Sequence, residues 1–137
     1  MKIIFILMLS FISLFSFDAL HVKAEILSHI AHELVKKDVV NIYIDDKKFI
    51  KTKGLISSVK YTSCQNADVI FISKKETLNK KCNSKYLFTT SYYLYQSLPD
   101  VIGVFFWQKG RPNIIIKSSM IKKLNISLSE SFKKYVE

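Results

Sequence analysis

Three short segments, Val39 to Ile44 (VVNIYI), Ala67 to Ser73 (ADVIFIS) and Tyr86 to Thr90 (YLFTT), are strand-length and rich in β-branched and aromatic residues. A fourth, Val101 to Gln108, sends Val101, Gly103, Phe105 and Trp107 one way and Ile102, Val104 and Phe106 the other. Both of its faces are apolar, so it calls for cover on both sides, as strands of a parallel sheet do. Short helix-compatible stretches lie between the strands: Lys74 to Lys81 (KKETLNKK) and Ser91 to Ser97 (SYYLYQS), the latter opened by Thr90-Ser91 as a cap.

The flanks complete the pattern. Glu25 to Lys37 carries stripes of Ile26, Ile30, Leu34 and of Leu27, Ala31, Val35, which predict an amphipathic helix. Residues 47–53 read as a short helix or turn, and 55–61 as a weak strand. Lys109-Gly110-Arg111 is a tight turn, from which Pro112 to Lys117 returns antiparallel. Ser118 or Ser119 to Leu124 predicts a helix with a serine N-cap. Ser127 or Ser129 caps a last one that ends with Phe132, Tyr135 and Val136. The expected fold is a three-layer α/β sandwich, with a mostly parallel central sheet, an antiparallel C-terminal β-hairpin and flanking short helices.

Lys2 followed by an apolar run from Ile3 to Phe17, then Val22 and Ala24 at −3 and −1 of a small-residue site, has the anatomy of a secretory signal peptide. The run is shorter than the ~20 residues a bilayer-spanning helix needs. Residues 1–24 are therefore expected to be a leader cut before Glu25, and 25–137 one domain. An uncleaved N-terminal anchor is the alternative. Either way the folded part lies outside the cytoplasm. The Met-Lys-Ile-Ile start and the lysine-rich composition point to a bacterium, hence to the periplasm.

The net charge of +10, or +9 without Lys2, Asp18 and Lys23, comes from 20 lysines and a single arginine, Arg111. Nucleic-acid recognition favours the bidentate guanidinium. Here the lysines are scattered in pairs and form no run, so no nucleic-acid partner is expected, and at most weak peripheral contact with a membrane. Cys64 and Cys82 each precede a strand by three or four residues. In parallel neighbours both strand starts lie at one sheet edge, so the sulfurs can meet in a disulfide; two lone buried thiols are the alternative.

No phosphate-binding glycine loop, nucleophile elbow or acid pair is present, so no enzymatic activity and no cofactor is expected. His29-x-x-His32-Glu33 is not the zincin order, and no metal site is expected. Two places remain. The only Trp and only Arg lie four residues apart around the hairpin, and Phe105, Trp107 and Arg111 form a candidate partner-binding surface. The bland reading makes the aromatics core and Arg111 a turn residue. Thr89, Thr90 and Ser91 close a strand and open a helix, a candidate site for a small anion or carboxylate; simple capping is the alternative.

Cys64-x-x-Ala67-Asp68-Val69-Ile70-Phe71-Ile72-Ser73, then Leu87-Phe88-Thr89-Thr90-Ser91, then Val101-Ile102-Gly103-Val104 with Gly110-Arg111 and Asn113-Ile114-Ile115-Ile116, and last Lys123-Leu124-Asn125-Ile126-Ser127-Leu128 resemble, in order and spacing, the YfiR-like periplasmic family. The resemblance covers residues 64–136. It implies a non-enzymatic regulator that binds a membrane-bound signalling protein, an inner-membrane diguanylate cyclase, and so lowers cyclic-di-GMP, often as a homodimer. The chain departs from the family in a shorter N-terminal half and in lacking a second cysteine pair. A small-ligand periplasmic binding module is the alternative function.

Overall fold

A computed structural model describes residues 19–79, 81–82 and 84–137. The apolar run Ile3 to Phe17 lies outside the described residues, as does part of the stretch expected to be helical up to Lys81.

The first described element is a helix, α1, over residues 19–34. Ala24, Leu27, Ala31 and Leu34 recur every three or four residues along it and are buried, with Ile30 beside them. The expected cut between Ala24 and Glu25 falls inside α1. Ala24 is in the core, and Leu20 packs against it.

Six strands follow: β1 (Val40–Ile44), β2 (Val59–Tyr61), β3 (Val69–Ile72), β4 (Tyr86–Thr89), β5 (Gly103–Gln108) and β6 (Arg111–Ile116). They form one sheet in the order β2-β1-β3-β4-β5-β6. The first five run parallel, and β6 pairs antiparallel with β5. The fold is thus α/β, with a mostly parallel sheet and an antiparallel C-terminal hairpin. The weak strand expected within 55–61 is β2, shortened to three residues at the sheet edge.

Alternation along the strands feeds two cores. Val40, Ile42, Val69, Phe71, Phe88 and Phe105 pack with α1 on one face. Ile70, Ile72, Leu94 and Cys64 pack on the other, under α2 (Tyr92–Ser97). The alternation expected through Val101 breaks at the start of β5. Val101 joins the second core and Ile102 the first, because the regular strand begins only at Gly103. A Cβ on Gly103 would lie 2.5 Å from the Ile115 carbonyl oxygen and 2.7 Å from the Phe88 ring, so the close approach of these elements requires glycine.

The connections are economical. Residues 45–58 join β1 to β2 through a 3-10 turn, Lys47–Thr52, about the dozen residues that a parallel crossover needs. A second 3-10 turn, Lys75–Asn79, replaces the helix expected at 74–81. The helix α3 (Ser118–Lys123) begins one residue earlier than a serine cap would allow. Lys117 holds its N-cap position, without a side-chain bond. Ser129 precedes α4 (Glu130–Lys133), yet its hydroxyl donates to Glu33 of α1 at 2.7 Å and its N–H donates to the same carboxylate at 2.9 Å. The expected cap is a tertiary clasp between the two ends of the domain. Val136 then bridges to Ile116 beside the sheet edge.

Cys64 and Cys82 are joined, with sulfurs 2.01 Å apart and Cα atoms 5.0 Å apart. The bond ties the loop before β3 to the loop before β4, as the matched spacing implies.

Candidate functional site at the sheet switch point

In the order β2-β1-β3, the chain leaves β1 toward one side of the sheet and leaves β3 toward the other. Where consecutive connections diverge at the carboxyl ends of parallel strands, a crevice opens. Here it is a cavity of about 600 Å3, lined by the ends of β1 and β2, by the 3-10 turn 47–52 and by Lys74, Glu76 and Thr77 of the segment that follows β3. That volume lies within the range of small-molecule sites.

The apolar wall is made of Ile42, Ile44, Phe49, Ile50 and Tyr61. Phe49 is buried from the turn, while Ile50, next in sequence, is 65% exposed at the mouth. Thr52 and Tyr61 share a short hydroxyl–hydroxyl hydrogen bond, which joins the turn to β2. Burial pushes the Tyr61 phenol above its ordinary pKa, against the opposing effect of the Thr52 bond.

Asp45, the first residue beyond β1, spans the base of the crevice. Its carboxylate accepts the Ser73 hydroxyl at 2.6 Å, the Ser73 N–H at 2.8 Å, the Lys74 N–H at 3.1 Å and the Thr77 hydroxyl at 2.6 Å. Asp46 accepts the Lys48 N–H at 3.0 Å and caps the 3-10 turn. Both aspartates are thus committed to backbone donors. The rim carries Lys47, Lys53 and Lys74 against Glu76. Among the described residues, no ion pair or hydrogen bond engages the ammonium groups of these three lysines. An apolar recess under unpartnered cations suits an anion with an apolar body.

The anion site expected at Thr89, Thr90 and Ser91 is not at this crevice. Thr89 is fully buried, and its hydroxyl donates to the Ile72 carbonyl at 2.7 Å and accepts the Ser91 N–H at 3.0 Å. The Ser91 hydroxyl accepts the Leu94 N–H at 3.3 Å. Thr90 is half-buried beside them, with its N–H on the Ile72 carbonyl. The hydroxyls of Thr89 and Ser91 thus serve the strand-to-helix turn, which is the capping alternative. Strand order accounts for the difference: β3, β4 and β5 follow one another in the sheet, without the reversal that lies beside β1.

The hairpin residues part company. Phe105 is 3% exposed in the main core and cannot face a partner. Trp107 is 42% exposed, edge-on to Phe105 with ring centres 6.4 Å apart. Lys23 of α1 sits 5.5 Å over its ring. Arg111 is exposed and pairs with Gln108 across a two-residue turn, Lys109-Gly110. Both turn residues have positive φ, 53° and 72°, as the tightest hairpin turns demand.

The histidines divide likewise. His29 is exposed. His32 places its two ring nitrogens 3.1 Å and 3.0 Å from the carbonyl oxygens of Lys37 and Ser58. Among the described residues, no group of three His, Cys, Asp or Glu is placed to hold a metal ion, and no helix is long and apolar enough to cross a membrane.

The crevice residues that sequence reasoning missed are Asp45, Phe49, Lys53, Tyr61 and Lys74. The visible signal was a polar exit directly after each of two buried strands, Asp45-Asp46-Lys47-Lys48 and Ser73-Lys74-Lys75. Comparison of the chain with family models, curated proteins and solved structures finds no match.

Proposed function

We propose that this chain is an extracytoplasmic sensor domain that binds a small anion with an apolar body, such as an aliphatic or aromatic carboxylate, in the crevice between β1 and β3. The observation that carries this reading is the coincidence of a 600 Å3 recess with the one reversal of strand order in the parallel part of the sheet. Lys47, Lys53 and Lys74 would meet the anionic group, and Ile44, Phe49 and Ile50 the apolar part. Binding without chemistry is favoured because Asp45 and Asp46 are occupied by donors, which leaves Glu76 as the rim's uncommitted carboxylate. The disulfide suits an oxidising compartment. The YfiR-like resemblance adds the output: occupancy of the crevice would be reported to a membrane-bound signalling protein.

The test uses 1-anilinonaphthalene-8-sulfonate, an aromatic sulfonate of the required chemistry. Saturable fluorescence enhancement by the folded protein is expected, and Lys53→Glu/Lys74→Glu should weaken it at least tenfold. Small carboxylates that compete for the same signal identify the ligand class. Enhancement that the double variant leaves intact places the dye elsewhere and refutes the site.

A further inference from the structure

The expected docking surface and the chain's entry into the domain lie at the same end of the molecule. Lys23, in the second turn of the described part of α1, stacks on Trp107, so the start of α1 adjoins the tip of the β5–β6 hairpin. In sequence, the apolar run Ile3 to Phe17 ends two residues before α1 is first described. A helix rises about 1.5 Å per residue, so residues 19–23 span only about 6 Å. Where the chain keeps residues 1–24, the uncleaved-anchor alternative, a bilayer at the start of α1 is within reach of the hairpin; the charged tip and Trp107 stand without that segment.

The hairpin tip is suited to such a surface. Residues 107–113, Trp-Gln-Lys-Gly-Arg-Pro-Asn, contain two cations and no acid. Among the described residues, Lys23, Lys109 and Arg111 have no ion-pair partner. Gln108, Lys109, Arg111 and Asn113 line a shallow hollow of about 370 Å3. Trp107 is part-exposed beside it, and Val22 of α1 is exposed to the same degree, 42%. Tryptophan favours the interface between headgroups and hydrocarbon, and exposed Lys and Arg are drawn to anionic headgroups.

We propose that the β5–β6 hairpin rests on an anionic membrane surface, with Trp107 at the headgroup level and Lys109 and Arg111 on lipid phosphates. The proposal does not depend on the crevice ligand.

Trp107 is the chain's sole tryptophan and reports on itself. The full chain is mixed with phosphatidylglycerol vesicles containing brominated lipid. A blue shift and at least twofold quenching of Trp107 emission are expected. The quenching should fall by at least half in Lys109→Gln/Arg111→Gln, and also in the unaltered chain at high salt, which serves if the variant fails to fold. A protein that floats with the vesicles while Trp107 emission stays solvent-like and unquenched overturns the proposal and returns the tip to a protein partner. Quenching indifferent to both the charge variant and salt overturns the lipid-phosphate contacts.

Discussion

Asp45 receives the Ser73 N–H on both carboxylate oxygens at 2.8 Å and the Ser73 hydroxyl at 2.6 Å, across the line where the strand order reverses. One side chain at the end of β1 thus fixes the path that the chain takes out of β3. Asp45→Ala would leave two backbone N–H groups without their acceptor. It should cost about 2–3 kcal/mol, since bonds to charged groups contribute more than neutral ones. Asp45→Asn keeps one acceptor oxygen and should cost less. Urea unfolding of both variants checks this; an Ala variant as stable as the parent would mean that water replaces the carboxylate.

The Cys64–Cys82 bond closes a loop with a sequence separation of 18. Loop-closure entropy for a ring of that size corresponds to about 3 kcal/mol. Cys64→Ala/Cys82→Ala, or reduction of the native chain, should lower the unfolding free energy by about that amount. Denaturant midpoints with and without reductant measure it. Equal midpoints would show that the two sheet-edge loops are held by packing alone.

Gly103→Ala should destabilise the domain by about 2 kcal/mol, in the range of overpacked cores, because the added methyl meets the Phe88 ring and the Ile115 carbonyl. Phe88→Leu in the same chain should relieve the ring clash but not the carbonyl one. If the double variant is less stable than the sum of its parts, the ring is not the obstacle, and the thermal melts will show it.

Stability should fall at both ends of the pH scale. Burial by itself raises the pKa of Glu33, but the bonds from Ser129 and the Lys36 charge outweigh it, so the group sits below the ordinary carboxylate range. Asp68 behaves alike: burial raises it, while Lys37 and the Asn41 N–H lower it further. A depressed folded pKa contributes stability that is full above the unfolded value, about 4, and is lost as pH falls through the folded value. Tyr95 is pushed up to about 12 by burial and then by Glu137, to which its hydroxyl donates at 2.9 Å. Its contribution is full below the unfolded value of about 10 and is lost as pH rises toward 12. Glu33→Gln/Asp68→Asn should flatten the acid limb of the denaturation midpoint against pH, and Tyr95→Phe the alkaline limb. Limbs that keep their slope in these variants would assign the titration to other groups.

The strands were legible because their signal is local. VVNIYI, ADVIFIS and YLFTT have no polar face to give to water, so burial in a two-sided sheet follows from composition alone. The disulfide was legible for a related reason: Cys64 and Cys82 stand at similar offsets before parallel neighbours, which puts both at one edge. The hairpin was marked by the glycine of Lys109-Gly110-Arg111, while the positive φ of Lys109 is a feature that only the structure shows.

What tertiary structure alone decided is the order of the strands and everything that depends on it. Nothing local in Val59–Tyr61 says that β2 lies outside β1, yet that placement opens the crevice at Asp45 and not at Thr89. Likewise Phe105 and Trp107 point to the same face with the same periodicity; α1 covers the first and leaves the second part-open. Ser129 has the sequence signature of a helix cap, but Glu33, far away in the chain, claims its hydroxyl. Periodicity and residue chemistry are properties of neighbours along the chain, so they determined the elements and their apolar faces. Crevices, buried hydroxyls and exposed aromatics depend on which distant segment arrives, and only the packed sheet settles that.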